Sequence, residues 1–326
     1  MPPQKILIVQ LNRLGDFILA TPMLRALKED NPQHQIHILA SRHNSALAHA
    51  HPLVDKVLIH SKKIIPTLEL LVQLKSEQYD YWIDPKDHFS REGYFFARWA
   101  KAKFKIGFNG KGRDAVFNVA LPATEENYHD QVAVRNLRAL QVFGLQHADP
   151  RPRLFVEARC ERKLQKFLEA QQIKKYFCVH LSASKEIRYW PQPNWIAFLR
   201  EIGNDKRHFI ITGDLRDAAR AQEIVSHVPQ ARHYPAASVI DLFSVVQHAD
   251  LVISPDTSVV HIAAAFDRPL LGLYSNEEWN LKKFYPLSTQ HRIVMGVAPG
   301  TLVRDIPLDL MRAKYWEFVR ECQTSV

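Results

Sequence analysis

Short apolar runs alternate with stretches of helical spacing along the chain, and this alternation constrains the fold more than any other feature. In the first half the runs are KILIVQ (5–10), QIHILA (35–40), KVLIH (56–60), YDYWID (79–84) and FKIGF (104–108). In the second half they are YFCVHLS (176–182), HFIITG (208–213), DLVISP (250–255) and PLLGLY (269–274). Such short, continuously apolar strands are typical of parallel sheets covered on both faces. Two series of them predict an α/β protein with two Rossmann-like, doubly wound domains.

The segment HADPRPRLFVE (147–157) interrupts this pattern with charged residues and two prolines, which is typical of a linker. We therefore expect an N-terminal domain over residues 1–155 and a C-terminal domain over residues 156–326. Ligands of open parallel sheets bind beyond the carboxyl ends of the strands, so the cleft between the domains is the expected site. The closing segment 307–322 has helical spacing and is a candidate to pack back onto the first domain.

Composition narrows the class of protein. Of the 326 residues, 46% are hydrophobic and 24% are charged, which is normal for a globular chain. The three cysteines are far apart and form no CxxC pair, so neither a disulfide framework nor a zinc site is indicated. The first apolar run is interpreted as a strand rather than a signal peptide, and no run approaches the roughly 18 residues that span a bilayer. A cytoplasmic protein is expected.

The formal net charge is +9 with the 16 histidines uncounted, which favours anionic partners such as phosphates, nucleic acid or a membrane surface. A basic balance is equally compatible with a simple contribution to solubility. The basic residues are scattered, and no long run of lysine and arginine is present. A nucleic-acid partner is therefore not expected.

The first candidate site is LNRLGDFILATPMLRAL (11–27), which directly follows the first predicted strand. Gly15 permits a tight turn, and Asp16 opens a helical stretch at the strand's carboxyl end. Asp16 can equally be explained as a helix N-cap, and Thr21-Pro22 as a cap followed by a first helical residue. The segment lacks the glycines of a Walker A or GxGxxG site.

The second candidate site is ADLVISPDTSVVHIAAAFDRPLLGLY (249–274). A strand ends just before Asp256, and Thr257 and Ser258 then open a helix whose first backbone N–H groups suit a pyrophosphate. His261 lies four residues after Thr257 and therefore on the same helix face. The alternative is a capped core helix in which His261 is a buried polar residue.

The third candidate is the loop HLSASKEIRYWPQPNW (180–195), again directly after a strand. Lys185 and Arg188 are long enough to reach a phosphate group, while Trp190 and Trp195 are expected to hold the loop. A solvated loop with buried aromatic residues explains the same pattern.

A weaker candidate is Asp214, which follows Thr212-Gly213 at another strand end. Its carboxylate is placed to accept a hydrogen bond from a ribose or sugar hydroxyl. A Gly-Asp turn is nevertheless common, and this structural explanation is the favoured one.

Taken in order, these pieces resemble glycosyltransferase family 9, the bacterial lipopolysaccharide heptosyltransferases. RLGDFILATP (13–22) is similar to the family's opening turn, which carries Gly-Asp and a later Pro. RYWP (188–191), TGD (212–214) and DTSVVHIA (256–263) are similar to its Lys-x-Trp-Pro loop, its Gly-Asp/Glu strand end and its Asp-Thr-Gly-x-x-His-x-Ala segment. The resemblance implies a GT-B fold, an ADP-heptose donor and a core-oligosaccharide acceptor on lipid A.

The resemblance also implies roles. Asp16 would be the general base that takes a proton from the acceptor hydroxyl, with Arg13 and Gly15 beside the acceptor. Arg188 would neutralise the donor diphosphate. The other donor-binding residues would be Asp256, Thr257, Ser258, His261, Lys185 and Asp214. The expected reaction is an inverting displacement without a metal or other cofactor, and stabilisation of the leaving diphosphate is expected to contribute most to its rate.

The sequence departs from the family pattern inside the donor segments. Ser258 replaces the glycine after Thr257, and Arg188 replaces the lysine, which keeps the charge but changes its geometry. LYSNEEW (273–279) also differs from the family's usual Phe-Gly-x-Thr. These differences bear on the identity of the donor more than on the fold.

The leading hypothesis is transfer of heptose to the lipopolysaccharide inner core, with an anionic lipid-linked acceptor and peripheral contact with the inner membrane. One alternative is a family 9 enzyme that uses another nucleotide sugar to build O-antigen or capsule. A GT-B epimerase would need no acceptor. A non-catalytic nucleotide or nucleic-acid binder would show no turnover, and its nucleic-acid binding would fall steeply with salt.

Overall fold

The computed structural model describes residues 2–86, 88–109, 115–121, 130–203 and 207–324. The chain divides into two compact units, Met1–Arg153 and Leu154–Val326. This division lies close to the predicted boundary between residues 155 and 156. Within the described part of the chain, no helix combines the length and the apolar character needed to cross a bilayer.

The first unit contains a six-stranded sheet in which every pairing is parallel. Its strands are β1 (Lys5–Gln10), β2 (Gln35–Ser41), β3 (Lys56–His60), β4 (Gln78–Ile83), β5 (Lys101–Gly107) and β6 (Val119–Ala120). Their spatial order is β3-β2-β1-β4-β5-β6, so the direction of winding reverses between β1 and β4. The five predicted apolar runs all contain strands, whereas the very short β6 was not predicted.

Six helices of the described residues cover this sheet: α1 (Leu14–Ile18), α2 (Thr21–Asp30), α3 (Ser45–Ala50), α4 (Ile64–Ser76), α5 (Arg91–Trp99) and α6 (Val132–Arg138). Local sequence explains where two of them begin. Pro22 lies in the first turn of α2, where a missing N–H costs nothing. The Ser90 hydroxyl caps α5 by accepting a hydrogen bond from the Gly93 N–H at 3.1 Å.

The second unit repeats the same winding. Its strands are β7 (Tyr176–His180), β8 (His208–Thr212), β9 (Ala231–His233), β10 (Leu251–Pro255), β11 (Leu270–Leu273) and β12 (His291–Val294). The order is β12-β11-β10-β7-β8-β9, all parallel, so the reversal falls between β7 and β10. The helices of its described residues are α7 (Ala158–Ala170), α8 (Gln192–Ile202), α9 (Ala218–His227), α10 (Asp241–Gln247), α11 (Ser258–Ala265), α12 (Glu278–Lys283) and α13 (Leu308–Thr324).

The closing helix α13 packs its apolar face into the second unit, which corrects the expectation that it packs back onto the first. Met311, Tyr315 and Phe318 are buried in the same core as residues of α8 and β12. The Tyr315 hydroxyl accepts a hydrogen bond from Arg207 at 2.6 Å. The helical spacing was correct, but spacing alone does not say which core a helix covers.

In each unit the winding reverses between two neighbouring strands, and the chain leaves both at the same sheet edge. In open parallel sheets, ligands bind at this point. In the first unit, the segments concerned follow β1 and β4. In the second unit, they follow β7 and β10. The predicted residues Asp16, Arg188 and Asp256 all belong to these segments.

Candidate active site

The loop after β7 is held by two buried tryptophans, as predicted. The indole N–H of Trp190 donates to the Ile306 carbonyl oxygen at 2.9 Å, and its ring meets Trp195 edge-on with a centroid distance of 4.9 Å. A 3-10 turn, Glu186–Arg188, directly precedes this anchor. The anchored aromatic residues thus fix the backbone from which Arg188 extends.

Arg188 belongs to a buried polar network at the end of β10. Its Nη1 lies 3.1 Å from Asp256 Oδ2, and its Nη2 donates to Asn280 Oδ1 at 3.3 Å. The amide of Asn280 in turn donates to the same Asp256 oxygen at 2.7 Å. Asp256 and Asn280 are almost fully buried, whereas 18% of the Arg188 side chain is exposed. Two partners therefore hold the guanidinium in one orientation, while part of the Arg188 side chain is open to solvent.

The network has consequences for charge. Burial raises the pKa of the Asp256 carboxyl, and the Arg188 charge together with the Asn280 hydrogen bond opposes this rise.

Lys185, three residues before Arg188, is exposed. Asn280, which lies in α12, was not among the predicted site residues. The unusual LYSNEEW segment (273–279) directly precedes it, and this departure from the family pattern was the available signal.

Helix α11 begins beside this network. The Thr257 hydroxyl accepts a hydrogen bond from the Val259 N–H at 3.3 Å, so Thr257 is the N-cap of the helix. Thr257 and Ser258 are half-buried. The start of a helix carries partial positive charge and backbone N–H groups that suit an anion. A capped helix and an anion-binding site are therefore compatible interpretations of this segment.

His261 lies deep in the interior. Its ring packs near Phe284 with centroids 6.2 Å apart, and its Nδ1 has no hydrogen-bond partner among the described residues. Burial lowers the pKa of His261 to about 4, so the imidazole is neutral at physiological pH. It cannot supply positive charge to a donor diphosphate.

The carboxylates that follow β8 have different environments. More than half of the Asp214 side chain is exposed, and it forms an ion pair with Arg216 at 3.0 Å. Asp217 is buried instead, and its Oδ2 accepts hydrogen bonds from the Ser182 hydroxyl at 2.5 Å and the Tyr189 hydroxyl at 2.9 Å. Asp217 thus ties this turn to the Arg188 loop. The predicted residue Asp214 is thus the exposed acid of this turn, and Asp217 is the buried one.

In the first unit, Asp16 lies in the first turn of α1 and is half-buried. Its Oδ2 accepts a hydrogen bond from the Arg13 N–H at 3.0 Å. Arg13 occupies the N-cap position and is exposed, and Gly15 is half-buried. Burial raises the pKa of the Asp16 carboxyl, while this hydrogen bond and the charges of nearby arginine and lysine side chains oppose the rise. A carboxylate with a raised pKa is a better proton acceptor.

Asp84 is a second acid at the same sheet edge, directly after β4, and it was not predicted as a site residue. It is almost fully buried, and its Oδ1 has no hydrogen-bond partner among the described residues. Burial raises its pKa against the opposing charges of Lys86 and Arg135, which also act on Asp16. The available signal was an aspartate that ends an apolar strand, in YDYWID (79–84).

Each unit therefore places a polar cluster at the point where its winding reverses. The first cluster combines two acids, Asp16 and Asp84, with the cations Lys86 and Arg135. The second combines a fixed guanidinium with the start of a helix. Among the described residues, no group of three or more His, Cys, Asp or Glu side chains is arranged to hold a metal ion. The first cluster can accept a proton, and the second can stabilise negative charge.

Two Rossmann-type sheets of the same winding, each with a polar cluster at its reversal point, are the arrangement of proteins with the GT-B fold. Residues 67–301 match the model of glycosyltransferase family 9 (heptosyltransferase). This chain belongs to that family and is a glycosyltransferase. Asp16 precedes the matched residues, whereas Arg188, Asp214 and Asp256 lie within them.

Individual relatives agree with the family. Lipopolysaccharide heptosyltransferase 1 from Campylobacter coli is 22% identical over 286 residues, which cover 83% of each chain. The structure of a family 9 glycosyl transferase from Veillonella parvula has a TM-score of 0.82 at 14% identity and covers 98% of this chain and 97% of that chain. The ADP-heptose LPS heptosyltransferase II of E. coli has a TM-score of 0.76 at 16% identity, with 98% and 99% covered. The predicted family, GT-B fold and enzyme class are confirmed.

Proposed function

We propose that this chain transfers a heptose from ADP-heptose to the inner core of lipopolysaccharide, with inversion at the anomeric carbon. The names of its relatives support both the sugar and the acceptor class. The observation that carries the proposal is the guanidinium of Arg188, which Asp256 and Asn280 hold beside the start of α11. A positive charge fixed at a helix N-terminus is an arrangement that suits a diphosphate.

The leaving group sets the electrostatic requirement of the reaction. As the bond from the anomeric carbon to the donor phosphate breaks, negative charge develops on the nucleoside diphosphate. Arg188 and the partial positive charge at the start of α11, next to Thr257 and Ser258, would stabilise this charge. A pre-oriented guanidinium needs little reorganisation during the step. We therefore propose that no metal ion is required.

The acceptor hydroxyl must lose its proton as it attacks. Asp16 would accept this proton, because its raised pKa makes it a stronger base than an exposed aspartate. Lys86 and Arg135 act on the carboxyl of Asp16 and keep the charged form accessible. Asp84 interacts electrostatically with the same two cations and would limit how strongly they depress the pKa of Asp16.

A second candidate function is transfer of a different sugar for O-antigen or capsule. Ser258 favours it, because a side chain stands at the first residue of α11 where the family usually has glycine. The arrangement around Arg188 recognises a diphosphate and does not by itself select the nucleotide or the sugar. The acceptor class would change with the donor.

The two candidates separate in a donor screen. Release of nucleoside diphosphate from ADP-heptose, UDP-sugars and dTDP-sugars is measured with and without a heptose-deficient core acceptor. Acceptor-dependent ADP release from ADP-heptose alone supports the proposal. Turnover of a UDP- or dTDP-sugar supports the second candidate, and acceptor-free conversion of a sugar nucleotide indicates an epimerase. Mass spectrometry of lipopolysaccharide from a strain that lacks the gene should show a core shortened by one heptose, and an unchanged core contradicts the proposal.

A further inference from the structure

Helix α4 exposes a continuous apolar stripe to solvent. Ile64 is 81% exposed, Ile65 70% and Val72 69%, and Leu68 between them is 57% exposed. At about 100° per residue, these positions lie on the side of the helix opposite the buried Leu70 and Leu74. A helix that is apolar on both its inner and outer sides is unusual for a protein surface surrounded only by water.

Helix α5, which contacts α4, also exposes aromatic and basic side chains. Phe95 and Trp99 are both more than 40% exposed, and Arg91 and Arg98 are exposed on the same side. The opposite side carries Ala97, and both Ala97 and the neighbouring Phe96 are buried in the core that Leu70 and Leu74 also join. The two helices therefore cover the same face of the sheet and turn their outer sides to solvent.

The two helices are also joined at their starts. Lys62, just before α4, lies 3.3 Å from Glu92 in the first turn of α5. The rings of His60 and Phe96 meet with centroids 4.8 Å apart. Both helices begin after strands that end at one edge of the sheet, β3 and β4. Ile64 and Ile65 are thus at the edge where Asp16 and Asp84 follow β1 and β4.

We define the docking face as the exposed residues Ile64, Ile65, Leu68, Val72, Phe95 and Trp99. The charged residues that flank it on α4 and α5 are predominantly basic: Lys62, Lys63, Lys75, Arg91 and Arg98, against Glu69 and Glu92. Aliphatic residues at the centre, a tryptophan and arginines at the side, and lysines at the margin are the composition of helices that lie in a membrane interface. A basic margin is complementary to anionic lipid headgroups.

We propose that the docking face binds the surface of an anionic bilayer, with α4 and α5 lying in the plane of the headgroups. The proposal rests on the lipid-linked acceptor of the proposed function, because an enzyme for such an acceptor works where that lipid is embedded. The end of the face formed by Ile64 and Ile65 lies at the sheet edge that carries Asp16, so this end of the docked face would bring the bilayer nearest to the proposed base. The bilayer, rather than the acceptor sugar, is the partner of this surface.

The test is flotation of the full chain with vesicles, without any sugar nucleotide. We expect binding to vesicles that contain about 30% phosphatidylglycerol, and weaker binding to pure phosphatidylcholine. The variant Ile65→Ser/Trp99→Ser should lower the partition coefficient by about tenfold or more. Lys63→Ser should lower it by about fivefold. Raising salt to about 1 M should weaken binding of the wild type but not abolish it.

The matched control is Val297→Ser/Trp316→Ser, which removes one exposed aliphatic residue and one exposed tryptophan from the second unit. Its binding should stay within twofold of the wild type. Wild-type protein that does not float, or equal losses in the two double variants, overturns the proposal. Loss of a wild-type dimer in the Ile65→Ser/Trp99→Ser variant, seen by analytical ultracentrifugation, would instead assign the face to a second copy of this chain.

A second readout separates this proposal from the proposed function. Ile65→Ser/Trp99→Ser should transfer sugar to a detergent-free, delipidated core acceptor at the wild-type rate, but more slowly to an acceptor embedded in vesicles. Equal rates on both acceptors contradict the docking role. If no donor is turned over by the wild type, the proposed function fails, while the flotation result still decides the docking face.

Discussion

Replacing Arg188 with methionine tests whether its guanidinium stabilises the leaving diphosphate or merely fills a buried ion pair. Methionine has a similar length and no charge. In the wild type, Arg188 lies 3.1 Å from the buried Asp256 carboxylate and 3.3 Å from Asn280. Its removal therefore has two separable effects, one on folding and one on transfer.

The effect on stability follows from the ion pair. At 3.1 Å and an effective dielectric constant of about 20, the pair attracts by about 5 kcal/mol before desolvation is subtracted. Breaking a buried pair by removing one partner typically costs about 3–5 kcal/mol, and the exposed fraction of Arg188 places this case near the lower value. Arg188→Met/Asp256→Asn should recover most of that loss, because no buried carboxylate remains without its cation.

The effect on transfer should not recover. Loss of one pre-oriented group that stabilises developing charge lowers kcat by about 100- to 1,000-fold. Arg188→Lys keeps the charge but cannot reach both Asp256 and Asn280 with one ammonium group, so we expect a loss of about tenfold. The assay is nucleoside diphosphate release under saturating substrate, with urea denaturation measured in parallel on each variant.

Transfer and stability, measured together, can refute the role of Arg188 in stabilising the leaving diphosphate. If the double variant regains both stability and transfer, Arg188 acts only as the partner of Asp256. If Arg188→Met retains kcat within threefold of the wild type, the guanidinium does not stabilise the leaving group. The predicted result is a stable double variant that remains about 100-fold or more below the wild type.

Three further predictions concern the neighbouring residues. Arg135→Gln removes a charge that lowers the pKa of Asp16, so the acid limb of the pH profile of kcat/KM should move to higher pH; an unmoved limb would contradict their coupling. Gly93→Ala would place a Cβ 1.9 Å from Asp84 Oδ2, so it should lower the free energy of unfolding by about 1–3 kcal/mol instead of giving the usual gain in a helix, as checked by urea denaturation. Asp217→Ala leaves two hydroxyl donors without their acceptor and should cost about 1–3 kcal/mol in the same assay, whereas a neutral result would show that water replaces it.

The sequence predicted the two doubly wound units because strands covered on both faces are apolar throughout. The edge strands β9 (ARH) and β12 (HRIV) carry basic residues and are short, so periodicity does not separate them from loops. The closing helix α13 was predicted as a helix but placed on the wrong unit. Its spacing shows that one side is apolar, whereas the choice of core depends on contacts that are distant in sequence.

Asp16, Arg188 and Asp256 could be proposed from the sequence because a motif and a strand end coincide at each of them. For the other residues near strand ends, the environment depends on how deeply the side chain is buried, which a motif does not show. Asp217 rather than Asp214 is the enclosed acid, although both follow the same strand. Burial lowers the pKa of His261 to about 4, and its position in the motif does not indicate this burial. Asp84 could be placed near Asp16 only from the strand order, because only the topology brings β4 next to β1.

The role of Asp16 is tested most directly by single-turnover transfer with Asp16→Asn, which preserves shape but removes the proton acceptor. Donor affinity and the rate of sugar transfer are measured on the same preparation, with the wild type beside it. We predict a donor Kd within about threefold of the wild type and a transfer rate lowered by about 100- to 10,000-fold. Transfer by Asp16→Asn at close to the wild-type rate would contradict the assignment of Asp16 as the base.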